Sequence, residues 1–347
     1  MPMLPLIVDP GRYRPCIQDL LTDGDRVREY WLSLFERHID TLAALPVNGS
    51  RLDQCPAWHA FREAYLDGIN RLRAQPDARG CLTVLELTRY RDEKLAEFSF
   101  GDPFHELKLR ENEIAIRQYP KVVADLDAMV PGQRHIELIR GLFAGNLFDM
   151  GSKAAVAAFA RDGGVDFATA RSRVRSRPWA VDDLDAWLHR IESNRYRQCL
   201  FFVDNAGPDI VLGVMPFVRE LCRRGTQVVL AANSAPALND VTAAELSVLL
   251  DRLRGIDASL IHGVRVVASG CMSPLIDLGQ LSRACCDAAA ESDLLVLEGM
   301  GRAIESNYDA RFSIDTLKIA LVKDSMVAEI LGVELFEPVF RFEAPKK

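Results

Sequence analysis

Cys199-Leu200-Phe201-Phe202-Val203 breaks at once into Asp204-Asn205-Ala206-Gly207, and Gln227-Val228-Val229-Leu230-Ala231-Ala232 breaks in the same way into Asn233-Ser234-Ala235-Pro236-Ala237-Leu238-Asn239-Asp240-Val241-Thr242. Both apolar runs have the length of a buried strand and end in turn-forming residues. Between them Ile210, Val214, Phe217, Val218 and Leu221 recur at helical spacing until Gly225, which predicts one βαβ unit with parallel strands. Carboxylates and carboxamides then stand just past the carboxyl ends of adjacent strands, where open α/β sheets bind their ligands.

Working outward, further strands are expected at Val264 to Ser269, Leu294 to Glu298 and Leu335 to Phe342, with helices over Ala243 to Leu253, Leu278 to Ala290 and Thr316 to Leu331. Runs that are apolar on both faces and joined by helices imply a largely parallel sheet covered on both sides; the charged last strand reads as an edge. Upstream the pattern is helical, with amphipathic runs at Val27 to Leu45, Trp58 to Leu72, Val84 to Phe98, Glu106 to Arg117 and Leu138 to Phe148. The expectation is an α/β protein: a mostly helical N-terminal region, residues 1–195, packed on a three-layer αβα domain at residues 196–347.

The 347 residues, 49% apolar, can bury a full core. Forty-two basic residues mixed among 49 acidic ones leave a net charge of -7, which argues against a nucleic-acid surface. No run approaches the roughly 20 apolar residues of a membrane span, and the proline-rich start lacks the charged segment of a signal peptide. The eight cysteines form no C-x-x-C pair, so reduced thiols in a cytoplasmic protein are the simplest expectation.

Asp204, Asn205 and Asp240 offer hard oxygen donors without sulfur or imidazole, a set suited to Mg²⁺ or Mn²⁺. Each has a structural alternative. Asp204 and Asn205 could shape the turn with Gly207, and Asp240 could cap the helix beginning near Val241, where Thr242 and Glu245 have capping-box spacing. As a group they exceed what capping requires. Glu298-Gly299-Met300-Gly301-Arg302 follows a third strand, its glycines able to present backbone N–H groups and Arg302 a fork for phosphate. Read as a dinucleotide fingerprint it is weak, because Ile304 replaces the third glycine and Lys318 stands where a ribose-binding acid belongs, and a dinucleotide-dependent oxidoreductase is kept as the alternative from another class. No nucleotide cofactor is expected. Lys318, at an expected helix start, is either solvated or a second cation for phosphate.

Gly145-Asn146-Leu147-Phe148-Asp149-Met150-Gly151-Ser152-Lys153 superficially suggests a phosphate loop, but its glycine spacing and Ser-Lys order are wrong for one. Asn146 and Asp149 read more simply as helix-end residues making local backbone bonds. Lys108, Glu111 and Asn112, at i, i+3 and i+4, read as a solvated helix face. With Ala206 two residues after Asp204 the D-x-D of aspartyl phosphatases is missing, and no G-x-S-x-G elbow occurs. A metal-activated water is the better nucleophile.

The Asp204 to Gly207, Ala232 to Thr242 and Glu298 to Arg302 segments resemble the metal-dependent damage-control phosphatases, specifically the subfamily with the Glu-Gly-Met-Gly-Arg motif, which includes the 4′-phosphopantetheine phosphatase module fused to some eukaryotic pantothenate kinases. Weaker similarity runs through Asp102-Pro103-Phe104, Gly145 to Asp149, Arg177-Pro178-Trp179 and Phe217 to Leu221. Ala206 stands where the subfamily often has Ser, at a position that is not a ligand. The resemblance implies one divalent ion, Mn²⁺, Co²⁺, Ni²⁺ or Mg²⁺, on Asp204, Asn205 and Asp240. It further implies substrate binding by Glu298, Gly299, Met300, Gly301 and Arg302, a family lysine at Lys318, and an active-site role for Asn146. Asp204, Asp240 and Glu298 are the expected catalytic residues, Glu298 as general base or as an orienting group. The implied partner is a small phosphorylated metabolite, 4′-phosphopantetheine or its oxidised forms, with a sugar phosphate as alternative.

Overall fold

The computed structural model describes residues 1–147 and 167–345. Five long helices come first: α1 (Asp25–Ala43), α2 (Trp58–Ala74), α3 (Val84–Glu97), α4 (His105–Asp127) and α5 (Pro131–Leu147). Each follows its apolar spacing. On α1, Trp31, Leu32, Phe35, Ile39 and Leu42 are buried along one stripe, and on α3 the Thr83 side chain caps the start by accepting from the Glu86 N–H. Then come α6 (Phe167–Arg173), β1 (Val181–Asp182), α7 (Leu184–Ser193), β2 (Gln198–Phe202), α8 (Met215–Arg223), β3 (Gln227–Ala232) and α9 (Ala243–Arg254). The chain continues through β4 (Val264–Ala268), α10 (Arg283–Ala290), β5 (Leu294–Glu298), β6 (Asp315–Leu321), α11 (Ser325–Leu331) and β7 (Pro338–Glu343). Short π-helical turns, Asp209–Val214 and Met300–Glu305, follow β2 and β5.

These strands form one seven-stranded sheet in the order β1-β7-β6-β5-β2-β3-β4, parallel throughout except between β6 and β7, and a separate two-stranded hairpin pairs Pro46–Val47 with Ser50–Arg51. The α/β architecture expected from the βαβ reading is the one found. Side-chain alternation along β2 divides the interior in two. Leu200 and Phe202 face a core shared with α1, α2 and α3, whereas Cys199, Phe201 and Val203 face one shared with α4, α5, α8 and α9. The helices before residue 196 therefore supply layers on both faces of the sheet, and β1 joins its edge.

Three expectations need correction. The charged last strand, β7, is not an edge: it lies between β6 and the two-residue β1, which takes the outer position. The helix expected over Thr316 to Leu331 is a strand followed by a helix. Residues 315–321 are buried on both faces, and Asp324 caps α11 by accepting from Met326 and Val327 N–H, so the apolar run belongs to the sheet interior. The Lys108 face of α4 is not solvated either: Lys108 and Asn112 are buried, and the Asn112 Oδ1 accepts from the Gly207 N–H at 2.7 Å.

Candidate active site

From β2 the chain runs outward to β3 and β4 on one side, then returns to β5 on the other side of β2. The carboxyl ends of β2 and β5 thus flank the point where strand order reverses, and an open crevice is expected there. Asp204 follows β2, and Glu298 is the last residue of β5. The Asp204 N–H donates to Glu298 Oε2 at 3.0 Å. Asn146, on the last turn of α5, donates through Nδ2 to Asp204 Oδ2 at 3.2 Å and Glu298 Oε1 at 3.3 Å. Asn205 donates to Asp204 Oδ2 at 2.9 Å and to Asp209 Oδ2 at 3.0 Å. All of these side chains are buried. Asp149, paired with Asn146 in the sequence reading, lies outside the described residues.

Asp240 arrives on the loop after β3. It does not cap α9: Thr242 does, in the capping box with Glu245 that the spacing predicts. A backbone bridge pairs Asn205 with Asp240, and Asn233, which sequence reasoning missed, donates to Asp240 Oδ2 at 2.9 Å. Lys108 ties the same loop to α4. Its Nζ lies 2.7 Å from Asp102 and from Glu245, and 3.4 Å from the Asp240 carbonyl.

Arg302 is buried between the two strand-end acids, paired with Asp204 and, at 2.7 Å, with Asp240. Burial works against its charge, and Asp240 and Asp204 more than offset that, holding the guanidinium above its ordinary range. Gly299 has φ +96°, and a Cβ there would lie 2.3 Å from the Asp204 carboxylate, so the position requires glycine. Its N–H is spent on the Ile319 carbonyl rather than offered to a ligand. A Cβ at Gly301 would meet the Pro274 carbonyl at 2.5 Å. Met300 and Gly301 line the cavity described below.

Lys318 is not part of this cluster. As a β6 residue it donates to the Tyr308 and Ala310 carbonyls at 2.7 Å and pairs with Glu343, and burial lowers its pKa to about 8. The lysine at the site is Lys323, five residues on and past the strand end, whose Nζ donates to the Asn146 carbonyl at 3.0 Å. Misreading β6 as a helix hid this, because only a strand ending at Leu321 carries Lys323 to the same sheet edge as Asp204.

Asp204, Asp209 and Glu298 bring ligand atoms within 4.8 Å of one another. Burial first, and then the Asp204 charge, push Asp209 up to about 7; burial, Asp209 and Asp204 push Glu298 well above the carboxylate range. The buried Asp209 Oδ1 has no hydrogen-bond partner among the described residues. Crowded, oxygen-only and under-compensated, this set fits a hard divalent cation. Asp209 was missed because its position, at the start of a helical run, reads as ordinary helix-entry chemistry.

The cluster opens into a cavity of about 360 Å³. Asp204, Asn205, Asp240, Gly301 and Lys323 line the strand-end side, and Trp31, Phe35, Val84, Thr88 and Arg91, from α1 and α3, the opposite side.

A carboxylate centre at the switch point of a doubly covered parallel sheet, opening into a cavity roofed by the first helices, is the layout of an α/β enzyme acting on a small ligand. The chain belongs to the damage-control phosphatase ARMT1-like domain family, which it matches over residues 27–339. It is 36% identical to mouse 4′-phosphopantetheine phosphatase over 99% of its own length and 38% identical to pantothenate kinase 2 of Arabidopsis thaliana, also over 99%. It spans 49% and 42% of those two relatives, about half of their length. A damage-control phosphatase of Arabidopsis thaliana is 36% identical over 98% of the chain and 96% of that protein. A solved DUF89 family protein from Pyrococcus horikoshii shares the fold, with TM-score 0.64 and 17% identity, covering 93% of this chain and 99% of the other.

Proposed function

We propose that the protein is a divalent-metal-dependent phosphomonoesterase acting on 4′-phosphopantetheine or its oxidised derivatives. The observation behind this reading is the buried Asp204, Asp209 and Glu298 cluster opening into a cavity whose far wall sets the apolar Trp31, Phe35 and Val84 beside the polar Thr88 and Arg91. The apolar side chains of that wall give an extended organic arm a surface to pack on. The names of the relatives point the same way.

Asp204, Asn205 and Asp240 would hold the cation, with Asp209 and Glu298 completing its oxygen-lined surroundings. When bound, a divalent ion supplies Lewis-acid polarisation of a phosphoryl oxygen and a more acidic water. Glu298 orients Asp204 through the backbone N–H and accepts from Asn146. Arg302 and Lys323 bring positive charge to the phosphoryl position, which stabilises charge developing on the transferring group. Asn146 links the last turn of α5 to both acids. Trp31 and Phe35 exclude water from the organic portion.

Phosphate release should be measured over a panel of phosphometabolites with Mg²⁺, Mn²⁺, Co²⁺ or Ni²⁺, beside Asp204→Ala and Asp240→Ala. The expected result is turnover of 4′-phosphopantetheine above sugar phosphates, with both variants slower by roughly a hundredfold or more. Folded variants with wild-type rates would refute the metal assignment, and preferential turnover of a sugar phosphate would refute the substrate.

A further inference from the structure

The cavity wall opposite the strand ends carries a charge that the reading above does not use. Arg91 is 3% exposed, and its guanidinium spends Nε and Nη2 on Asp92, the next residue along α3, at 2.8 and 3.1 Å. Its Nη1 makes no hydrogen bond among the described residues, yet the side chain lines the cavity. A guanidinium withdrawn from water and paired only with its neighbour in sequence is a poor stabilising device, because burial costs about as much as such a pair returns. Asp92 holds one planar edge in register and leaves Nη1 without an acceptor among the described residues. This is the geometry of a preorganised fork for an oxyanion.

Its neighbours place that fork near the strand ends. One turn earlier on α3, the Thr88 hydroxyl lies 2.9 Å from the Ser273 hydroxyl. The next residue, Pro274, accepts from Arg302 through its carbonyl at 3.3 Å. The Asp240 carboxylate is close enough to Arg91 to favour its charged form. Arg302 is itself engaged by Asp204 and Asp240, so a phosphoryl group entering beside those acids meets Arg91 from the opposite wall.

We propose that Arg91 is a substrate-binding residue whose Nη1 donates to a phosphoryl oxygen, clamping the phosphate between α3 and the strand ends. The proposal rests on the phosphatase reading of the cavity and adds a contact from the N-terminal helices to it. Because the contact is to the phosphate, it is indifferent to the rest of the substrate.

The test compares wild type with Arg91→Lys, Arg91→Met and the double variant Arg91→Met/Asp92→Asn, which removes both charges together and so guards against misfolding from an orphaned acid. Each is assayed with Mg²⁺ on 4′-phosphopantetheine and on p-nitrophenyl phosphate, and titrated calorimetrically with inorganic phosphate. The expected result is a loss of kcat/KM of roughly ten- to a hundredfold on both compounds and a parallel weakening of phosphate binding, with Arg91→Lys recovering part of each. Loss on 4′-phosphopantetheine alone would place Arg91 on the organic arm and overturn the proposal, as would unchanged phosphate binding in the folded double variant. A wild-type chain that leaves 4′-phosphopantetheine intact would refute the substrate reading only, since p-nitrophenyl phosphate and inorganic phosphate still report on Arg91.

Discussion

Glu305 sits in the cavity wall at the end of the π-helical turn after β5, beside Lys323 and Asp324. Burial, reinforced by Asp324 and partly opposed by Lys323, pushes its carboxyl up to about 8. Below the ordinary glutamate range the folded and unfolded chains both carry this proton. Between that range and about pH 8 the folded chain keeps it and the unfolded chain has lost it. Raising the pH through this window therefore erodes stability, by an amount on the order of a few kcal/mol. Glu305→Gln mimics the protonated form and should flatten the dependence. Urea midpoints measured from pH 5 to 9 should fall less for the variant than for wild type, and equal slopes would show that Glu305 ionises normally in the fold. The same residue shows where sequence reading stops. Nothing in Ala303-Ile304-Glu305 separates a buried cavity acid from a solvated one, because its environment is supplied by Lys323 and Asp324, eighteen residues or more away in the chain.

At the level of elements, the site is held by contacts between a helix and a loop that share no sequence motif. Lys108 joins α4, through Asp102 and Glu245, to the N-terminal turn of α9 and to the Asp240 carbonyl. Lys108→Met would leave two largely buried carboxylates without their cation and should cost roughly 3 to 5 kcal/mol. It should also weaken divalent-ion binding by loosening the Asp240 loop, which Lys108→Arg would do less. Chemical denaturation together with metal titration separates the two effects, and unchanged metal affinity would mean that the loop needs no clamp. The βαβ unit around Asp204 was legible because two uniformly apolar strands bracket a helical period. β6 was not, since a buried strand and a buried helix look alike in a short apolar run. The Lys108 face was misread because charge at i, i+3 and i+4 usually means solvent, and only packing against the Gly207 turn, the Asp240 loop and the start of α9 reverses that.

For the whole molecule, buried acids of one sign should make metal-free protein less stable than metal-loaded protein. A cation at a hundredfold excess over its Kd should add about 2.7 kcal/mol. The melting temperature of wild type should rise with added Mn²⁺ and fall back on chelation, while Asp204→Ala should respond to neither; an unresponsive wild type would argue against a metal centre. The family motifs lie at the strand ends and were readable, and in the proposed reading they carry the metal and phosphate chemistry. The cavity roof on α1 and α3 was not, because Trp31, Phe35 and Arg91 look like ordinary amphipathic positions until the sheet is present for them to face. The order of strands also has a consequence for synthesis. β2 can pair with β3 once residue 232 has left the ribosome, but its other neighbour, β5, ends at residue 298, and Lys323 comes later still. A chain emerging from the ribosome could thus bring Asp204 and Asp240 together long before Glu298, Arg302 and Lys323 exist to close around them. For that interval the growing chain would expose an unfinished acidic sheet edge, and the proposed chemistry would be among the last properties it acquires.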